Sequence, residues 1–204
     1  GVCGKKADTS RWQDLLLGVA RGVATISNSL RNAGIKTNQE VGDYIVDALF
    51  ATITNANFDD QAILNKVDNG VRIKRELLAL AKENNVTLPN YQEVNWGGEK
   101  ADYEAEGDRE GVLRTENEDL RSLKELTVLG LKGMAAYYEH ASRLNELNEE
   151  IIAFMEKALA TISNPAADMD TLLATVMETG KFGVDAMALL DKANTQAYGN
   201  PELT

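Results

Sequence analysis

The sequence predicts an all-α protein, arranged as two tandem three-helix bundles joined by a long acidic linker. Three observations carry that expectation. Proline occurs only at Pro89, Pro165 and Pro201, each where a helical pattern has already stopped, as its missing N–H and ring clash require. Between the prolines, apolar residues recur at three- and four-residue steps, the period of one helix face. The two halves of the chain also repeat each other in outline.

The first helix presents Trp12, Leu15, Leu16, Val19, Val23, Ile26 and Leu30 on one face. Ser10 with Gln13 can form a capping box at its start, and Gly34 can end it. A second helix starts near Thr37, with Glu40 completing a box, and buries Val41, Tyr44, Ile45, Ala48, Leu49 and Ile53. A third runs from Asp59 or Asp60 to Glu83 through Ile63, Val67, Val71, Leu77 and Leu78. Together, residues 10–85 make the first expected bundle.

Residues 86–116 break the pattern with Pro89, Gly97-Gly98, Gly107, Gly111 and many acids. They read as a connection with a short hairpin or helical turn around Trp96 and Tyr103, its acidic stretch from Glu99 to Glu118 solvated. Residues 117–204 make the second expected bundle. Helical spacing resumes near Glu118 and reaches about Glu146. It continues from Asn148 to Ser163, and again over 169–178 behind an Asp168 cap. Gly180 is expected to break or kink that last helix before a further run through Phe182, Met187 and Leu190.

The repeat is seen in register. Gln13-Asp14-Leu15 returns as Lys124-Glu125-Leu126, and Arg21-Gly22-Val23-Ala24 as Lys132-Gly133-Met134-Ala135. Leu49-Phe50-Ala51-Thr52-Ile53 returns as Leu172-Leu173-Ala174-Thr175-Val176. A mid-helix glycine costs roughly 1 kcal/mol against alanine, so the paired Gly22 and Gly133 are expected to mark close approach of another helix.

Charge and composition exclude several classes. Lys and Arg total 21 against 32 Asp and Glu, a formal charge of −11, and a net-negative surface repels a phosphate backbone. Nucleic acid is therefore not an expected partner. No apolar run is long enough to cross a bilayer. One cysteine, Cys3, cannot make an internal disulfide, so a reducing cytoplasm is the expected compartment.

The chemistry open to these residues is narrow. A di-iron carboxylate site needs Glu-x-x-His on two helices, but the single histidine, His140, follows Tyr137 at that spacing. One Cys and one His are poor material for a four-ligand zinc site. A Cys3–His140 nucleophilic pair is formally open but has no sharpening motif; His140 reads more simply as a helix-face residue. There is no P-loop, dinucleotide fingerprint or EF-hand loop. Cys3 stands out because Gly1-Val2-Cys3-Gly4-Lys5 precedes a helix. Flanking glycines let backbone wrap a metal cluster and offer N–H groups to its sulfurs. Lys5 and Lys6 favour the thiolate. Against this stands a plain reading, an incidental thiol at a frayed terminus.

Several segments together carry a family resemblance. Gly1-Val2-Cys3-Gly4-Lys5, Gln13-Asp14-Leu15-Leu16, Ala48-Leu49-Phe50-Ala51-Thr52 and Thr54-Asn55-Ala56-Asn57-Phe58-Asp59 are among them. Gly130-Leu131-Lys132-Gly133-Met134-Ala135-Ala136-Tyr137, Pro165-Ala166-Ala167-Asp168-Met169 and Tyr198-Gly199-Asn200-Pro201 complete the set. The chain so read resembles the hybrid cluster proteins, also called hydroxylamine reductases or prismane proteins, over all but the acidic linker. The nickel carbon monoxide dehydrogenases are distant relatives with a comparable helical domain.

The resemblance implies a larger parent. It would open with a loop of four cysteines holding a 4Fe-4S iron–sulfur cluster, continue through this helical domain, and end in two α/β domains that hold a hybrid iron–sulfur–oxygen cluster. Its implied reaction is reduction of hydroxylamine to ammonia, or action on nitric oxide. By resemblance Cys3 matches the fourth cysteine of the loop, the one cofactor-binding and metal-ligating residue carried here, and residues 1–9 are a remnant of that loop. No catalytic residue carries over. The chain alone is expected to be inactive and without a cofactor. Its expected partners are the absent α/β domains, or a second copy through faces those domains would cover. A stand-alone helical interaction module and a carbon monoxide dehydrogenase domain are the alternative readings.

Overall fold

The fold is seen in a computed structural model that describes residues 4–54 and 56–200. Eight α-helices follow in chain order: α1 Ala7–Asn32, α2 Gln39–Ala51, α3 Asp60–Glu83, α4 Gln92–Asn95, α5 Tyr103–Arg109, α6 Glu118–Ser142, α7 Glu149–Ser163 and α8 Met169–Tyr198. Single 3₁₀ turns lie at Lys100–Asp102 and Val112–Arg114. No strand occurs among the described residues, so the chain is all-α.

Four helices begin on a side-chain cap. Asp59, Asn117, Asn148 and Asp168 sit in extended backbone and accept hydrogen bonds from amides two or three residues on. Each satisfies donors that a helix N-terminus leaves open. The two expected capping boxes do not form. Helix α1 already starts at Ala7, placing Ser10 inside its first turn, and α2 follows Asn38, not Thr37. Neither Lys6 nor Asn38 makes a side-chain cap bond. At the other end of α1, Gly34 takes φ +78° and turns the chain, as expected. Asn85 and Asn145 take the same left-handed region after α3 and α6, which asparagine tolerates better than most residues.

Gly180 does not break the last helix: α8 is continuous over 30 residues, about 45 Å long. The cost of one glycine is outweighed by packing along the whole element. Leu172, Thr175, Thr179, Ala186, Leu189 and Ala193 form its buried line, and Phe182 stacks on Phe154 of α7 with ring centroids 4.3 Å apart.

Helix α1 packs against α2 and α3, and α6 against α7 and α8; α1 also meets α7, and α2 meets α6. The buried apolar side chains therefore form one connected cluster running through both triplets. Leu15, Leu16, Val23, Ile26 and Leu30 of α1 lie in it with no exposed surface.

Residues 86–116 are not a solvated linker. Helices α4 and α5 both lie against α1, and Glu93, Glu106 and Glu110 are buried. Glycine explains how the segment gets so close. A Cβ on Gly22 would come 2.3 Å from the Glu93 carbonyl oxygen, and one on Gly18 would come 2.7 Å from the Glu110 side chain. The close approach expected at Gly22 is thus real, though made by α4. At Gly133 nothing lies within 4 Å, and the expectation of a helix neighbour there fails in this chain.

One face stays uncovered. Met169, Leu173, Met177, Val184 and Met187 are exposed along α8 at steps that keep them on one side of the helix. On α6, Leu126, Leu129 and Tyr137 are exposed around Gly133 in the same way.

Candidate functional site

Cys3 itself lies outside the described residues, and so do Gly1 and Val2. What is described is the base on which its segment rests. Gly4 takes φ +83°, a conformation that glycine adopts freely. Lys5 donates a 2.5 Å hydrogen bond to Oε1 of Gln13 on α1. Gln13 is buried and donates through Nε2 to the Asn57 carbonyl in the loop between α2 and α3, at 3.0 Å. Thr9 donates to Asp60 at the head of α3 at 2.6 Å. Lys132 of α6 donates to the Thr52 carbonyl at the end of α2, at 2.9 Å. Segments that carried the family resemblance, around Gln13, Thr52, Asn57 and Lys132, are thereby tied in by hydrogen bonds, Gln13 to both Lys5 and Asn57 and Lys132 to Thr52.

Charge around these bonds is unusual. Burial pushes the Asp14 carboxyl up to about 6, against the pull of Lys5, Arg21 and Lys132. Burial likewise lowers the Lys132 ammonium from its ordinary value, while Glu125 and Asp14 oppose it. Desolvation disfavours whichever form is charged, and here it acts on both partners.

A second polar assembly occupies the contact between α1 and residues 86–116. Arg21 on α1 bonds the buried Glu110 carboxylate and lies 3.6 Å from that of Glu93. Arg114 bonds both glutamates from the opposite side. Arg109 reaches Glu106 and Glu110. Burial opposes the Glu93 charge, yet Arg114 and Arg21 hold its carboxyl below the usual range. Glu106 is raised, because burial exceeds the help of Arg109. Lys74 of α3, 1% exposed, inserts its ammonium among the carbonyls of Glu93 and Trp96. Burial lowers it to about 8. Buried ions remain charged only when paired and hydrogen-bonded, and this set nearly meets that condition. Among the described residues, Nε of Arg21 and Nε1 of Trp96 are buried without a partner.

These ions were not legible as a site. The acid-rich composition of 86–116 suggested a solvated loop, and only the mid-helix position of Arg21 hinted at a buried counter-charge. His140 is an exposed residue of α6 whose ring meets Phe50 edge-on at 5.9 Å, as a helix-face residue would. A pairing with Cys3 falls outside the described residues.

Among the described residues, no group of three or more His, Cys, Asp or Glu side chains could hold a metal ion. A four-iron cluster needs about four thiolates, and the sequence holds one cysteine. The residues of this chain therefore do not make such a site by themselves. No described helix is long and apolar enough to cross a membrane.

The comparisons with known proteins agree closely. A hydroxylamine reductase of Porphyromonas gingivalis is 48% identical over 205 residues, covering 100% of this chain and 37% of its own length. One of Bacteroides thetaiotaomicron is also 48% identical with the same coverage. One of Clostridium novyi is 46% identical over 207 residues, again across 37% of its length. The chain thus spans little more than a third of these relatives. The model of the Prismane/CO dehydrogenase family matches residues 1–204, and the chain belongs to that family.

Proposed function

We propose that this chain is the helical part of a longer hydroxylamine reductase. The observation that carries the reading is whole-chain similarity, at 48% identity, to relatives of that name over 37% of their length. Those names favour a hydroxylamine reductase over a carbon monoxide dehydrogenase, both being within the breadth of the family. In this reading Cys3 is one of four thiolate ligands of an iron–sulfur cluster, which supplies electron transfer when present. The chain's own part is mechanical. Lys5, Gln13 and Asn57 fix the segment that follows Cys3 to α1 and to the loop before α3. Lys132 fixes α6 to the end of α2. The reduction itself belongs to the remainder of the parent, and the 204-residue chain is inactive alone. The uncovered stripes on α6 and α8 are the surface that the remainder would cover.

The test compares two proteins. The 204-residue chain, purified anaerobically with iron and sulfide supplied, is expected to stay colourless and to lack hydroxylamine reductase activity. The protein from the complete reading frame, treated alike, is expected to be brown, to contain iron and to reduce hydroxylamine to ammonia. A colourless, inactive complete protein would overturn the assignment. So would a complete frame that adds nothing to these residues.

A further inference from the structure

The buried ions between α1 and residues 86–116 open onto a cleft of about 410 Å³. That volume is in the range of small-molecule sites. Its walls include Arg109, Arg114 and Lys124 together with Glu93, with Tyr91, Thr115 and Ser163 among them. A narrow inner recess shares Arg114 and Lys124 and adds Arg21, Arg121, Glu110 and Glu125.

Two features show cationic groups at this wall whose donors the internal carboxylates do not all satisfy. Glu93 and Glu110 are fully engaged by Arg21, Arg109 and Arg114. Lys124, on the first turns of α6, has no hydrogen bond or ion pair among the described residues. It is partly buried, and burial lowers its ammonium below the ordinary value, with Arg114 and Arg21 adding repulsion. The second feature is Arg21, only 7% exposed, whose Nε lacks a hydrogen-bond acceptor. Its charge is compensated by Glu110 and by Glu93 at 3.6 Å, but a buried N–H without an acceptor is itself costly. Arg21, Arg109 and Arg114 are balanced by Glu93, Glu106 and Glu110, which leaves Lys124 as the cation of this cleft without a paired acid among the described residues.

We propose that this cleft binds a multiply charged oxyanion of the phosphate class, held by Lys124, Arg114 and Arg109. Guanidinium forks offer paired N–H donors to such an anion and an ammonium offers a point charge. The Thr115 hydroxyl supplies a neutral donor for a further oxygen, whereas that of Ser163 already donates to the Leu159 carbonyl at 2.9 Å. A carboxylate is the poorer match, because it brings one charge and two oxygens to three cations. The anion could come as a free ion or as an ester, and Tyr91 offers a ring against which the organic part of an ester could lie.

The probe is sodium pyrophosphate, titrated into the 204-residue chain at low ionic strength and followed by calorimetry. One-to-one binding is expected with Kd at or below about 1 mM. Lys124→Met should weaken it by about tenfold or more, and Lys124→Arg should largely restore it. Circular dichroism of Lys124→Met should show an unchanged helical signal, so that lost binding is not lost fold. Parallel titrations separate the sources: ADP binding more tightly than pyrophosphate assigns an ester, and equal or weaker binding assigns the free ion. No saturation by about 10 mM pyrophosphate, a Kd unaltered by Lys124→Met, or succinate binding as tightly as pyrophosphate would each overturn the proposal.

Discussion

Gly22 and Gly133 occupy equivalent places in the internal repeat but have opposite surroundings. The Gly22 Cα faces a backbone carbonyl that cannot swing aside, with a Cβ contact of 2.3 Å. Gly22→Ala should therefore cost about 1–3 kcal/mol through forced displacement of α4. Gly133 lies in open space on α6, and Gly133→Ala should stabilise this chain by up to about 1 kcal/mol through helix propensity alone. Urea denaturation of both variants checks the pair; equal effects would contradict the geometry. Asp14 makes a separate prediction. Its folded carboxyl is raised to about 6 from about 3.9 unfolded, so the folded state holds the extra proton between those values. Its contribution is fully present below about pH 4 and is lost as pH rises through about 6. Asp14→Asn should remove that part of the pH dependence and leave the variant more stable than the parent at pH 7. A stability difference between the two that does not change from pH 4 to 7 would contradict it.

At the scale of elements, α1 is held to α7 by a buried acid. Glu156 has no exposed surface; it accepts from Ser27 at 2.8 Å and pairs with Arg31 at 2.8 Å. Glu156→Ala leaves the buried Ser27 hydroxyl only its longer 3.3 Å contact with the Thr37 hydroxyl, and leaves Arg31 only its outer partner Glu149. The expected loss is about 2–3 kcal/mol, lower than for a fully buried pair because Arg31 retains access to water. Thermal unfolding measures it, and a loss near zero would show that the pair is replaceable by solvent. The same scale shows what the sequence could reveal. Asp168 was readable as a cap because it directly precedes an apolar period, whereas the adjacent pair Asp59-Asp60 left the start of the third helix open between them. Ser10 misled because a good capping residue can also sit in a first turn when the preceding residues are themselves helix-compatible. Gly180 misled because a local cost was judged without the long buried line of α8. The role of Glu93 and Glu110 was unreadable: although Arg109 and Arg114 lie beside Glu110 in sequence, Arg21, which draws both acids onto α1, lies far away, and composition alone gives acids to water.

For the whole molecule, the apolar stripes of α6 and α8 make a prediction about solution behaviour. In the 204-residue chain they face water, and exposed patches of this kind favour association. Sedimentation velocity at rising concentration should show self-association that Leu173→Glu with Met177→Lys removes. Since both side chains are already exposed, the double variant should unfold within about 0.5 kcal/mol of the parent at each site. A parent that stays monomeric throughout would show that these stripes are not adhesive by themselves. Family membership and the all-α class were legible because they depend on many residues at once. The ligand role proposed for Cys3 rests on the resemblance together with its flanking glycines and lysines, since a single thiol carries no geometry of its own.

The position of α1 has one more consequence. Because this helix is the common wall of both triplets, neither can melt while the other keeps its neighbours. Calorimetry should record one endotherm with no shoulder, and the slowest-exchanging amides should cluster from Val19 to Ile26, midway along that wall.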